Sequence, residues 1–225
     1  MDKVIWLGQA GLLLTHQDCH IMIDPYLSDS VAKVNPQNHR RVPVDPQFFS
    51  RKPDVLIFTH DHLDHYDPET VAQLLDGDHS ITVLAPWSVW GKVRAFGGRH
   101  NYVLFNRHTQ WTQGDLCFTA VKAEHSDPHA IGVIVYDGKR KYYITGDTLY
   151  NEEIFPDLPK DIFAVFLPIN GVGNNMNPTD AAQFSAKIGA QRVVPIHFGL
   201  FDAIDPRVLT CDNKIIPEIY KEVTL

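Results

Sequence analysis

The chain has 225 residues, 44% of them hydrophobic and 21% charged, with 12 histidines and a formal net charge of -7. That balance belongs to an ordinary globular protein long enough for one sizeable core, and it excludes a disordered chain. The acidic charge argues against sequence-independent binding of nucleic acid, which needs a basic face.

The start, Met1-Asp2-Lys3-Val4-Ile5-Trp6, lacks a cationic stretch followed by a long apolar one. No later run approaches the roughly 20 apolar residues that span a bilayer, so a cytoplasmic protein without membrane attachment is expected. Val4 to Leu7, Leu12 to Thr15 and His20 to Ile23 read as short strands separated by Gly8, Gly11 and the polar turn at Gln17-Asp18. From Asp24 to Pro53 the chain is rich in Pro, Asn, Arg and Ser without a period, which predicts a long loop with one short helix. Within it Arg40, Arg41, Arg51 and Lys52 form a basic stretch, either solvated or available to a small anionic substrate.

Val55-Leu56-Ile57-Phe58 predicts a buried strand. After it Asp67-Pro68-Glu69-Thr70 supplies an N-cap, a first-turn proline and an early acid for a helix that stops near Gly77. Ile81 to Ala85 is a predicted strand, Ser88 to Phe96 a short helix, and Tyr102 to Phe105, Leu116 to Ala123, Ile131 to Tyr136 and Lys141 to Thr145 are strands. Ile162 to Leu167 is an apolar strand, Pro178 to Ile188 an amphipathic helix and Val193 to Ile196 a last buried strand. With no internal repeat or linker, residues 1–225 are expected to form a single domain with sheet packed on sheet and helices outside. Cys19, Cys117 and Cys211 are widely spaced and form no Cys-x-x-Cys pair, so each is expected to be a small buried apolar residue.

The segment Thr59-His60-Asp61-His62-Leu63-Asp64-His65 places three histidines and two aspartates in six consecutive positions directly after an apolar run. Imidazole and carboxylate suit zinc, iron or manganese, and a His-x-His-x-Asp-His spacing can aim two sets of ligands at two neighbouring ions. A polar loop whose histidines bond to backbone is the alternative, though core histidines usually occur singly. His60, His125, Asp147 and His197 each stand just beyond a predicted strand, so one edge of the sheets can gather them. His129 competes with His125, which lies nearer its strand end. His16, His20, His39, His79, His100 and His108 lie in polar or turn-like surroundings and read as surface or satisfied groups.

Taken together, Ile5-Trp6-Leu7-Gly8-Gln9-Ala10-Gly11, Ile23-Asp24-Pro25, Thr59 to His65, His125, Thr145-Gly146-Asp147-Thr148, Pro168-Ile169-Asn170-Gly171 and Pro195-Ile196-His197-Phe198 resemble the metallo-β-lactamase superfamily. The resemblance spans nearly the whole chain, and its nearest branch contains ascorbate-6-phosphate lactonases and related small metal-dependent hydrolases. It implies an α+β fold, a four-layer αββα sandwich, with a dinuclear site at one edge. His60, His62 and His125 would hold the first metal and Asp64, His65 and His197 the second, with Asp147 bridging. Asp24 resembles the aspartate that orients a ligand imidazole in the superfamily, a turn residue before Pro25 being the alternative. Relatives in the branch commonly assemble, so a homo-oligomer is expected.

Two divalent ions roughly 3.5 to 4 Å apart lower the pKa of a shared water toward about 7, which gives hydroxide as the nucleophile, with Asp64 orienting it or passing on its proton. No Gly-x-Ser-x-Gly elbow is present. The loop Asn170-Gly171-Val172-Gly173-Asn174-Asn175-Met176-Asn177 offers amides to a polar ligand, or it simply makes turns. The lactonase resemblance favours substrate contact by Asn170, Asn174 and Asn175, and the basic stretch adds Arg40 and Arg41 as candidates. No cysteine stands where the commonest zinc β-lactamases place one. The 28 residues after His197 are too few for the helical substrate domain of glyoxalase II, and the acidic charge disfavours RNA. A lactonase or esterase acting on a small, sugar-like molecule, phosphorylated or not, is therefore the first expectation. A phosphodiesterase is the second, and a metal-binding module without turnover the third.

Overall fold

Alternation along each strand explains why the first half of the chain reads as nearly continuous apolar runs. In β1 (Lys3–Gly8), Val4 and Trp6 enter one core while Ile5 and Leu7 enter another. The same division recurs in β2 (Gly11–His16), with Leu12 and Leu14 against Leu13, and in β3 (Cys19–Ile23), with Ile21 and Ile23 against Met22. It continues in β4 (Val55–Ile57), where Val55 and Ile57 oppose Leu56. A sheet covered on both faces leaves no polar side to alternate with.

The computed structural model describes residues 1–225 and contains two six-stranded sheets. The first runs β1-β2-β3-β4-β5-β6, with β5 at Thr82–Ala85 and β6 at Asn101–Leu104. β1 to β3 form an antiparallel meander, and β3 to β6 are parallel. The parallel crossovers carry α1 (Ser30–Val34) and α2 (Gln47–Ser50), then α3 (Pro68–Leu74), then α4 (Trp87–Val93). Val71 and Leu74 of α3 and Val89 and Val93 of α4 pack with Leu56 and Val83 into the outer core of this sheet.

The second sheet is ordered β12-β11-β10-β9-β8-β7. Its strands are β7 (Gln110–Gln113), β8 (Leu116–Lys122), β9 (Ile131–Tyr136), β10 (Lys141–Ile144), β11 (Ile162–Pro168) and β12 (Arg192–Ile196). Between the sheets, Trp6, Leu12, Ile21 and Ile57 share one core with Phe118, Val133, Ile144 and Phe166. α5 (Pro178–Ile188) lies on the far side and packs against β11, with Phe184 6.2 Å from Tyr143 and 5.4 Å from Phe155 between ring centroids. Its bounds follow from local chemistry. Asn177 caps the amides of Thr179 and Asp180, Pro178 fills the first turn and Gly189 ends the helix at φ 64°. The layers are thus helix, sheet, sheet, helix, the αββα sandwich implied by the sequence.

Three expectations need correction. β7, Gln110-Trp111-Thr112-Gln113, was not anticipated, because an edge strand with a single large apolar residue shows no run to detect. The three cysteines are half-buried rather than buried, and all are free. The stretch from Asp24 to Pro53 holds two short α-helices and a 3-10 turn at Pro36–Asn38 where one helix was expected. After His197 the chain runs back over β1 and β12, donating Tyr220 N to Trp6 O at 2.7 Å, Val223 N to Val4 O at 2.8 Å and Ile215 N to Val193 O at 2.8 Å. Those bonds cover one edge of each sheet, β1 in the first and β12 in the second. No helix is long and apolar enough to cross a membrane.

The crossovers leave the ends of β4, β8, β10 and β12 leading into Thr59 to His65, His125, Asp147 and His197 respectively.

Candidate metal centre

The loop after β4 is held by Asp24, which follows β3 in the left-handed region at φ 44° and is fully buried. Asp24 Oδ1 accepts from Thr59 N at 2.8 Å, and its Oδ2 accepts from Thr59 Oγ1 at 2.5 Å and faces His65 Nδ1 at 2.8 Å. Because the Thr59 hydroxyl gives its proton to Asp24, its oxygen is free to accept from His60 Nδ1, 3.1 Å away. Both imidazoles are thereby fixed through Nδ1, and both Nε2 atoms are buried without a hydrogen-bond partner.

Three other loops complete the cluster. Asp147 follows Gly146, whose φ of 61° and tight surroundings admit only glycine: an added Cβ would lie 2.9 Å from Thr59 Oγ1 and 3.0 Å from Ile131 O. Asp147 Oδ2 accepts from Asn175 Nδ2 at 2.8 Å and lies 3.3 Å from His197 Nε2, while its Oδ1 lies 3.2 Å from His65 Nε2. His197, at φ 58°, donates its backbone amide to the carbonyl of Gln9, itself at φ 47°. The Gln9 side chain donates Nε2 to Asp64 Oδ2 at 3.0 Å, and Asp64 Oδ2 stands 3.2 Å from His197 Nε2. Asn170 Nδ2 sits 3.0 Å from His197 Nδ1, which leaves Nε2 directed at the two carboxylates. His125 is tied in by Asp127, whose amide donates to His125 Nδ1 at 3.1 Å and whose carboxylate accepts from Asp61 N and Ser88 Oγ. Left-handed backbone at Gln9, Asp24 and His197 gathers around this one place.

His60, His62, His125 and Asp147 form one group, and Asp64, His65 and His197 another, with the donor atoms of each group within 4.8 Å of one another. Asp24, His60 and His65 also meet this criterion, but the Asp24 oxygens are already engaged by Thr59 and the far side of His65. His60 Nε2, His65 Nε2, His125 Nε2 and Asp147 Oδ1 are buried and unpartnered. An unpaired buried polar atom costs about 1 to 3 kcal/mol, and imidazole with carboxylate is a donor set for zinc, manganese or iron. The residues present fit divalent cations.

The electrostatics divide the cluster. Burial, reinforced by the neighbouring imidazoles, holds His60 and His125 below the usual histidine value. Burial also opposes charge on His65 and His197, yet the carboxylates outweigh it, raising His65 well above its ordinary value and pushing His197 up to about 10. Asp64 and Asp147 are held low in turn by those two imidazoles, against burial.

A cleft of about 400 Å³ opens onto the cluster, lined by Gln9, His62, Asp64, Asp147, Asn170, Asn175 and His197 together with Val31, Asn38, Val172, Gly173, Phe201 and Asp202. Asp61 stands apart, with both its oxygens 2.6 Å from Lys92 Nζ. His129 is exposed and outside the donor groups. Asn175 is almost wholly buried and spends its amide on Asp147 and on Thr148 N. Three substrate candidates are not in the cleft lining. Asn174 is exposed at φ 66°. Arg41 is exposed, and Arg40 gives its guanidinium to Tyr26 O, Val42 O and the Tyr220 hydroxyl. Arg40 thereby braces the loop through two carbonyls and a phenol. Gln9 and Thr59 were missed as site residues. The only sequence signal was a polar side chain between Gly8 and Ala10, and a threonine abutting the histidine run.

Buried histidines and carboxylates gathered at one edge of an αββα sandwich define the metallo-β-lactamase class of fold. Residues 20–198 match the family model described as a beta-lactamase superfamily domain, and the chain belongs to that family. A UPF0173 metal-dependent hydrolase of Desulforamulus reducens is 28% identical over 211 residues, covering 90% of this chain and 86% of that protein. In fold the chain is similar to Igni18, a metallo hydrolase from Ignicoccus hospitalis, with a TM-score of 0.78, 18% identity and coverage of 98% and 97%. It is also similar to a structure from Veillonella parvula described as a possible metal-dependent hydrolase, with a TM-score of 0.81, 16% identity and full coverage of both chains.

Proposed function

We propose that the protein is a two-metal hydrolase that opens a lactone or a similar small ester. The observation that carries this reading is the convergence of His60, His62, Asp64, His65, His125, Asp147 and His197 in one cluster, with His62, Asp64, Asp147 and His197 lining the cleft and four buried donor atoms left unpartnered. His60, His62 and His125 would hold one ion and Asp64, His65 and His197 the other, with Asp147 shared. Bound ions supply Lewis acidity and an activated water at neutral pH.

The remaining steps belong to the chain. Asp24 and Thr59 orient His60 and His65, Asn175 fixes Asp147, and Asn170 turns His197 toward the carboxylates. Asp64, held by Gln9 and lining the cleft, receives or returns a proton during attack and departure. The family and the curated relatives' description as metal-dependent hydrolases support hydrolysis as the reaction class.

The same donors serve a phosphoryl centre, so the electrophile is tested directly. Under identical zinc or manganese loading, a panel of γ- and δ-lactones is expected to turn over at least tenfold faster in kcat/KM than bis-p-nitrophenyl phosphate, a difference of about 1.4 kcal/mol in barrier. The reverse ranking would assign the site to phosphodiester hydrolysis.

A further inference from the structure

The lining of the cleft also carries information on what the substrate bears away from its reacting bond. No lysine or arginine side chain contributes to it. Arg40 is spent on Tyr26, Val42 and Tyr220, with its guanidinium 5.3 Å over the Tyr26 ring, and Lys52 donates to the carbonyl of Gln73. The one charged group in the lining beyond the metal cluster is Asp202, a carboxylate. Its Oδ1 is fixed by Gly199 N at 2.8 Å and Ile204 N at 2.9 Å. Val31, Val172 and Phe201 supply apolar wall, and Val172 is 65% exposed, so this wall is free to cover a ligand.

We infer that the substrate is uncharged outside the reacting ester or lactone and carries an apolar group that Val31, Val172 and Phe201 cover, so that a phosphorylated substrate is selected against. This rests on the hydrolase reading above and adds the substrate class. A phosphate or sulfonate placed away from the ions would lose hydration without meeting a cation, and would share the cleft with the Asp202 carboxylate. A carboxylate in that position acts as a repulsive discriminator, while neutral molecules meet only shape and burial. Each methylene laid on the apolar wall is worth about three- to fourfold in kcat/KM, the equivalent of about 0.8 kcal/mol of burial.

The test uses the metal-loaded protein with γ-butyrolactone, γ-hexalactone, γ-octalactone and an ω-sulfonated γ-octalactone, together with glucono-δ-lactone and its 6-phosphate. Thermal-shift binding of the matching γ-lactams, neutral and ω-sulfonated, is followed in parallel. Rising kcat/KM along the alkyl series and at least tenfold discrimination against each anionic partner are expected. Val172→Lys is expected to cut that discrimination severalfold and to flatten the alkyl series. Preference for the sulfonated or phosphorylated member, in turnover or in binding, overturns the inference and leaves the hydrolase reading intact. Binding that favours neutral lactams without turnover of any lactone supports the inference and overturns the hydrolase reading. A protein that binds no neutral lactam and turns over no neutral lactone overturns both.

Discussion

Asp147→Ala is expected to lose about 10³-fold or more in kcat/KM on any lactone the protein hydrolyses, and to bind fewer ions per chain. Asp147 lies between the two donor groups, 3.2 Å from His65 Nε2 and 3.3 Å from His197 Nε2. Its Oδ1 is buried and has no hydrogen-bond partner. Alanine removes the shared oxygen and leaves the Asn175 amide without its acceptor, while the strands and the sandwich core are untouched. Several kcal/mol of Lewis-acid stabilisation is at stake, and each 1.36 kcal/mol is tenfold in rate. Elemental analysis beside steady-state kinetics checks this, with circular dichroism confirming the fold. Wild-type metal content with wild-type turnover would remove Asp147 from the centre.

Asp24→Ala is expected to weaken metal binding by about 10- to 100-fold although Asp24 contacts no ion. The carboxylate holds Thr59 N, Thr59 Oγ1 and His65 Nδ1 and, through Thr59, the Nδ1 of His60. Without it two imidazoles lose the partner that fixes which nitrogen faces the metals. Buried donors left unpaired also cost about 1 to 3 kcal/mol each in stability. The two effects separate by measurement: metal affinity by competition with a chelator, and folding stability by urea unfolding in excess chelator. An affinity within twofold of wild type would show that Asp24 serves the fold alone.

Sequence and structure agree most closely where one residue's surroundings are set by its neighbours in the chain. α5 is bounded by Asn177, Pro178 and Gly189, all local signals, and its span is the one expected. The double-sided burial of β1 to β4 is visible as uninterrupted apolar runs. β7 escapes because its fate depends on pairing with β8, where Trp111 opposes Phe118, and an edge strand has no compositional mark. The site divides in the same way. His60 to His65 announce metal chemistry by density alone. Gln9 reaches Asp64 across 55 positions and His197 across 188, which no local pattern contains. Arg40 and Arg41 resemble an anion site in sequence because charge is local, whereas the engagement of Arg40 by two carbonyls and a phenol is tertiary. Asn175 was read toward substrate, and the fold engages its amide with Asp147 and Thr148 N while the residue still lines the cleft.

Titrating the metal-stripped protein with zinc or manganese while following hydrolysis of a lactone tests the two-metal account most directly. Activity is expected to be absent before addition, to rise with metal and to saturate at about two equivalents per chain. Saturation at one equivalent, or turnover that persists at full rate in the stripped protein, would contradict it.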